Sequence, residues 1–186
     1  MMPDISQRSA PVIDEVRKLA PGKPIRFMIN SHNHFDHTGG VRAAAAAGAT
    51  IVTRANSKAY FEKALATKNR IAPDLLTKSG KKARVMGVGD KHEMTDGARK
   101  IEIHRIKDGV HNDAFLMVYL PREKLLIEAD AYTPLPPNAP VPATPNANNV
   151  NLAENIERLK LAVERILPLH GRVVPLAELH RTIGRQ

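Results

Sequence analysis

The chain has 186 residues, 42% of them hydrophobic and 25% charged, which suits a single folded domain over residues 1–186 and excludes wholesale disorder. Its 28 Lys and Arg against 19 Asp and Glu give a net charge of +9, but aromatic residues are only 4%, so a stacking platform for single-stranded nucleic acid is not expected. There is no cysteine and no run of 18 apolar residues, which excludes disulfides, thiolate ligands, a cysteine nucleophile and a membrane-spanning helix.

In chain order, residues 11–19 (PVIDEVRKL) place Val12, Ile13, Val16 and Leu19 at helical spacing, and PGKP at 21–24 stops that helix. The opening residues lack the apolar core of an export signal. The compartment stays open: cytoplasmic for the chain as it stands, periplasmic or secreted if a leader was trimmed. Residues 25–30 (IRFMIN) read as a buried strand that delivers SHNHFDHTGG at its carboxyl end, where open α/β folds place their sites. VRAAAAAG predicts a helix ended by Gly48, and TIVT at 50–53 a second buried strand, so the order predicts a parallel βαβ unit. Residues 56–67 read as a helix capped by Asn56 or Ser57, and residues 68–83 as basic and irregular.

From there the grammar changes. KHEMTDG, RKIEIHRI, AFLMVYLP and KLLIEAD read as largely antiparallel strands, the last two joined by the tight turn PREK. Residues 132–150 carry six prolines, through which neither helix nor sheet continues, and form a linker or a wall beside a site. Residues 151–168 predict an amphipathic helix with Asn151 as cap and Leu152, Ile156, Leu159, Val163 and Ile166 on one stripe. A short strand entering a terminal helix follows.

The concentration of donors at His32, His34, Asp36 and His37 asks for a cation. On a loop leaving a strand, His32 and His34 face one ion while Asp36 and His37, turned into the next helix, face a second. Gly39 and Gly40 let the backbone pass close by. Further donors must come from the rest of the chain. His92, His104 and His180 stand in strand or amphipathic contexts that suit ordinary packing, whereas His111 lies in a turn between strands and His170 at an element end before a glycine. Asp130 closes an apolar run at a strand mouth, with Glu128, deeper in the strand, the weaker alternative.

This set, HxHxDH followed in order by His111, Asp130 and His170, is similar to the ligand set of the metallo-β-lactamase superfamily over about residue 25 to the end. The resemblance implies an α/β (α+β) fold, an αββα sandwich of two sheets with a dinuclear site at their shared edge. By position, His32, His34 and His111 would hold one zinc, Asp36, His37 and His170 the other, and Asp130 would bridge them; iron or manganese also suits such donors. Asp stands where the best-known drug-resistance subclass has Cys, which looks more like the glyoxalase II, lactonase and general hydrolase branches.

Two close divalent ions lower the pKa of a shared water toward ~7, so that hydroxide can attack a carbonyl while Asp36 orients it and takes its proton. The expected activity is a metallo-hydrolase acting on a β-lactam, lactone, ester or thioester. Two other classes stay open: a metal-binding fragment or interaction protein with little turnover, and an iron-dependent oxygenase of the persulfide dioxygenase kind. Only 24 residues precede Ile25, fewer than family members place before this strand. That predicts an incomplete first sheet, shortened at its start, whose exposed edge is covered by a second copy, most simply in a homodimer. A small-molecule substrate is the expected ligand.

Overall fold

The computed structural model describes residues 5–185, which fall into two compact units meeting at Val88 and Gly89. The first unit opens with helix α1 (Ile5–Leu19), longer than the spacing predicts, with Pro11 inside it. Ion pairs at (i, i+3), Arg17–Asp14 and Lys18–Glu15, brace its exposed last turns. Gly22, at φ 74°, turns the chain out of it. The expected βαβ unit follows: β1 (Phe27–Ile29), the short helices α2 (Phe35–Thr38) and α3 (Val41–Ala46), then β2 (Thr50–Arg54), with Met28 opposite Ile51 in a parallel pair. Its first strand is shorter and less buried than its apolar sequence suggests. The reason is position: in the strand order β1-β2-β3, β1 is an edge and Phe27 is 41% exposed, while Ile51 and Val52 on the central strand are fully buried.

The alanine run makes α3 thin enough to lie close on this sheet, and Ala44 and Ala45 join Ile51, Phe61, Leu65 and Leu76 in one core. Helix α4 (Lys58–Ala66) matches the expected helix at 56–67, entered through a 3₁₀ turn at Ala55–Ser57. Residues 68–83 are not irregular throughout. Helix α5 (Leu75–Ser79) forms there because the Asp74 carboxylate accepts the Thr77 N–H at 2.8 Å and Gly80 closes it at φ 64°. Strand β3 (Arg84–Val88), which sequence periodicity does not mark out, completes the first sheet in parallel with β2.

Asp74 also anchors this region. Arg42 clamps its carboxylate through Nε and Nη2 and reaches the Ala64 carbonyl at 3.0 Å and the Thr77 hydroxyl at 3.1 Å. The guanidinium holds the Asp74 carboxyl far below the usual carboxylate range. Because the folded-state pKa lies below the unfolded value, this contribution is present above about pH 4 and lost as the pH falls further. Replacing Asp74 with alanine removes a cap and strands Arg42. The expected cost is about 2–3 kcal/mol, read by urea denaturation at neutral pH and shrinking as the pH is lowered toward 3.

The second unit holds a six-stranded sheet, β4 (Lys91–Thr95), β5 (Lys100–Arg105), β6 (Leu116–Leu120), β7 (Leu125–Glu128), β8 (Arg165–Pro168) and β9 (Val174–Pro175), in chain order. All neighbours are antiparallel except β7 and β8. That parallel pair needs a crossover, supplied by α6 (Ala147–Arg158).

Here the long predicted helix is corrected. It starts at Ala147 under an Asn146 cap and stops at Arg158, and Val163 and Ile166 belong to the segment that enters β8. The stop is a Schellman turn: Lys160 sits at φ 53°, its N–H bonds to the Glu157 carbonyl at 2.9 Å, and the Leu161 N–H to that of Ile156 at 3.1 Å. The apolar spacing misled because the buried Val163 and Ile166 serve the same core as Leu152 and Ile156, from the connection into β8 and from β8 itself rather than from a helix. Terminal helix α7 (Leu176–Thr182) buries Leu179 in that core.

Candidate metal centre

In the first unit the donors sit where β1 gives way to α2. Asn30 continues the strand through its N–H to the Val52 carbonyl at 2.8 Å, and its side-chain amide donates to the His37 carbonyl at 2.9 Å, tying the loop shut. Between these points the chain is extended at His34, so His32 and His34 project to one side and their ring nitrogens come within 4.8 Å of each other. The ring centroids of His32 lie 4.4 Å from His34 and 4.5 Å from His37. Helix α2 then turns Asp36 and His37 together, with Oδ2 3.3 Å from Nε2. His32 is fully buried, with Ser31 Oγ 3.1 Å from its Nδ1, while Asp36 is exposed. The glycines after this cluster have ordinary helical backbone; at Gly40 the lack of a side chain instead leaves room for the Ser9 hydroxyl of α1, which a Cβ would approach to 3.0 Å.

In the second unit, His111, Asp130 and His170 come together. Asp130 Oδ2 is 3.0 Å from His111 Nε2, and its Oδ1 is 3.0 Å from His170 Nε2, so each carboxylate oxygen faces a different imidazole. Three supports fix this arrangement. The loop before His111 is held by α6: Asn155 exchanges hydrogen bonds with the Lys107 N–H and carbonyl at 2.9 and 3.0 Å, and Asn151 donates to the same carbonyl at 2.8 Å. Asn151 is thus a brace for this loop and not the cap its sequence position suggests.

The turn carrying Asp130 is held by Glu128, whose Oε2 accepts the N–H groups of Ala131 and Tyr132 at 2.8 and 3.1 Å. Burial pushes the Glu128 carboxyl up to about 8, against those two N–H groups and helped by the nearby Asp130 charge. Glu128 therefore shapes the turn, as its depth in the strand suggests. At His170, Gly171 takes φ 129°, and a Cβ there would press on Pro134 at 3.0 Å, while Arg172 donates to the Leu135 carbonyl at 3.1 Å. The proline-rich segment is a wall beside His170 rather than a free linker.

His104, set aside in the sequence as an ordinary packed histidine, is buried and pairs with Glu102 at 2.9 Å; desolvation lowers its pKa. The supporting residues Asn30, Asn155 and Glu128 carry no motif. Their only sequence signal is a polar residue at the end of an apolar run or on the inner stripe of a helix.

Imidazole nitrogens and carboxylate oxygens suit zinc, iron or manganese, and the absence of sulfur leaves no preference for softer ions. The sequence profile of the Metallo-beta-lactamase superfamily matches residues 5–170. The chain belongs to the metallo-β-lactamase superfamily.

Solved structures share the fold. A metallo-beta-lactamase from Pontibacter korlensis is 18% identical with a TM-score of 0.65, the match covering 94% of this chain and 74% of that one. The archaeal superfamily protein ST1585 from Sulfolobus tokodaii is 16% identical with a TM-score of 0.60, covering 86% and 66%. Rubredoxin oxygen:oxidoreductase from Desulfovibrio gigas is 15% identical with a TM-score of 0.65, covering 92% of this chain and 45% of that one. No curated protein matches the chain significantly. The mixed α/β metallo-β-lactamase fold implied by the HxHxDH resemblance is therefore that of this chain. No helix among the described residues is long and apolar enough to cross a membrane.

Proposed function

We propose that the chain is a metal-dependent hydrolase that cleaves a carbonyl ester, thioester, lactone or lactam. The reading treats the two donor sets as one centre, with His32, His34 and His111 at one ion, Asp36, His37 and His170 at the other, and Asp130 shared. The observation that carries it is Asp130, whose two oxygens are each turned to a different histidine, an arrangement suited to a carboxylate shared between two ions. A family profile running unbroken over residues 5–170 supports treating the chain as one domain.

Bound divalent ions, zinc by this reading, supply Lewis acidity and an activated water near neutral pH. The chain's own residues do the rest. His32, His34, His37, His111 and His170 hold position, each as a neutral ring presenting one nitrogen. Asp36 orients the attacking water and receives its proton; its exposure leaves it free to pass that proton to solvent. Glu128 and the two asparagines of α6 keep the second-unit donors from drifting, as outer partners of metal ligands do.

The test is turnover of a panel containing a β-lactam, a lactone, a thioester and a simple ester, before and after chelation. Hydrolysis of at least one class, lost on chelation and restored by added metal, is expected; turnover indifferent to chelator would contradict the proposal. A second reading, an iron-dependent oxygenase, is favoured by the all-N/O donor set with Asp130 in place of a thiolate, which suits iron as well as zinc. Iron as the purified metal, with oxygen uptake in place of hydrolysis, would select it.

We also propose a homodimer. Helix α1 exposes Val12 and Leu19 at 63% and 78%, and the edge strand β1 exposes Phe27. Sedimentation at micromolar concentration is expected to give twice the chain mass, and Val12→Asp with Leu19→Asp to give the monomer. A cooperatively folded monomer at all concentrations would remove this part of the proposal.

A further inference from the structure

A cleft of about 870 Å³ opens in the first unit beside Thr38 and Gly39, directly after the last donor of the HxHxDH loop. One side is α4, which presents Tyr60 and Leu65; the other is the loop from Lys68 to Asp74. That loop is anchored at both ends. Asn69 takes the Thr77 hydroxyl at 3.2 Å with its N–H and the Asp74 carboxylate at 3.2 Å with its amide, and Asp74 is clamped by Arg42. Between the anchors, Arg70 and Ile71 stand out into solvent, Ile71 without any burial.

The electrostatics of the cleft are one-sided. Asp74, its only lining carboxylate, is neutralised by Arg42, whereas Lys68 and Arg70 make no hydrogen bond or ion pair through their side chains among the described residues. Two uncompensated cations therefore rim a wall of Tyr60, Leu65 and Ile71. A braced loop holding Ile71 beside two cations, across from Tyr60, is complementary to an aliphatic chain that ends in a negative charge. A cleft of this volume matches a small-molecule site and is large enough for a medium-chain carboxylate.

We propose that this cleft binds the acyl part of the substrate, and that the acyl part is an aliphatic chain carrying a carboxylate. The chain lies on Tyr60 and Ile71 while Lys68 and Arg70 take the charge. This specificity rests on the hydrolase reading, but the cleft's binding of an anion does not require turnover and can be measured alone.

The probe is octanoate, titrated by calorimetry into the whole chain, with acetate and octylamine as controls. Octanoate should bind at least ten times more tightly than either, because acetate lacks the chain and octylamine carries the wrong charge. Lys68→Glu with Arg70→Glu should weaken octanoate at least tenfold, and Ile71→Ser several-fold, with bound metal and melting temperature unchanged, since all three side chains are exposed and unpaired. Equal binding of octylamine, or undiminished octanoate binding by the double variant, would overturn the proposal. So would self-association abolished by Ile71→Ser, which would give the cleft to a second copy. Octanoate binding as expected with no hydrolysis of any β-lactam, lactone, thioester or ester of the panel would leave the cleft standing and remove the hydrolase.

Discussion

Replacing His111 with alanine should lower bound metal from about two ions per chain toward one, with affinity for the ion it held falling by more than about 100-fold. The magnitude follows from the donor count. By our assignment that ion would be held by three imidazoles, His32, His34 and His111, with a share of the Asp130 carboxylate and one position kept for water, so losing one of the three rings removes a third of its nitrogen donors. Changes to residues that merely support a ligand already cost 10–100-fold. The substitution does more than delete a donor, because His111 Nε2 also faces Asp130 Oδ2 at 3.0 Å, so the shared carboxylate loses one of the two rings that set its orientation. His111 is partly exposed and lies in a loop held independently by Asn151 and Asn155, so the fold should survive. Metal content after dialysis, with the melting temperature of the metal-free form as control, separates ligand loss from unfolding. Unchanged stoichiometry in a variant lacking His32, His34 and His111 together would show that the metal lies elsewhere.

Asp36→Ala should lower kcat by about 10²–10⁴ while lowering bound metal far less, since a positioned proton acceptor contributes on that order. The two effects are separated by assaying rate with added metal in excess, which keeps the second ion on His37, His170 and the shared Asp130, whereas no other described carboxylate of the first unit stands beside the histidine cluster to accept a proton. Asp36→Asn should resemble alanine in rate and the wild type in structure, since it keeps the shape next to His37 and loses the basicity. The comparison is made as the ratio of rate to bound metal. Equal fractional losses of both would reduce Asp36 to a ligand.

Much of the centre is legible in the sequence because its parts are local or punctuated. Three histidines and an aspartate within six positions cannot be explained by packing; Asp130 and His170 each end an apolar segment, where a strand releases its side chains, and His111 stands in a turn between two strands. Closely spaced ligands need only a loop to converge, and residues 31–37 supply one that Asn30 ties shut at both ends.

What the sequence conceals is long-range. Asn155 and Glu128 are single polar residues whose partners, Lys107 and the turn at 131–132, become neighbours only when the second unit folds. Strand β3 hides in a basic stretch because it borrows its pairing from β2 and needs no alternation of its own. The helix expected over residues 151–168 fails at Lys160 because a lysine there takes the left-handed conformation usually left to glycine, and nothing in its chemistry announces that turn. The proline-rich segment reads equally as linker or wall until Gly171 is seen to need the space that Pro134 leaves.

The central claim, that these seven donors exist to hold a pair of metal ions, is tested most directly by elemental analysis of the purified chain by mass spectrometry, as isolated, after chelation and after reloading. The account predicts about two divalent ions per chain, removed by chelator, restored by zinc, iron or manganese, and reduced to none when Asp130 and His37 are replaced together with His32. A chain that takes up no stoichiometric metal from any of the three, while folded and with its seven donors intact, would contradict it.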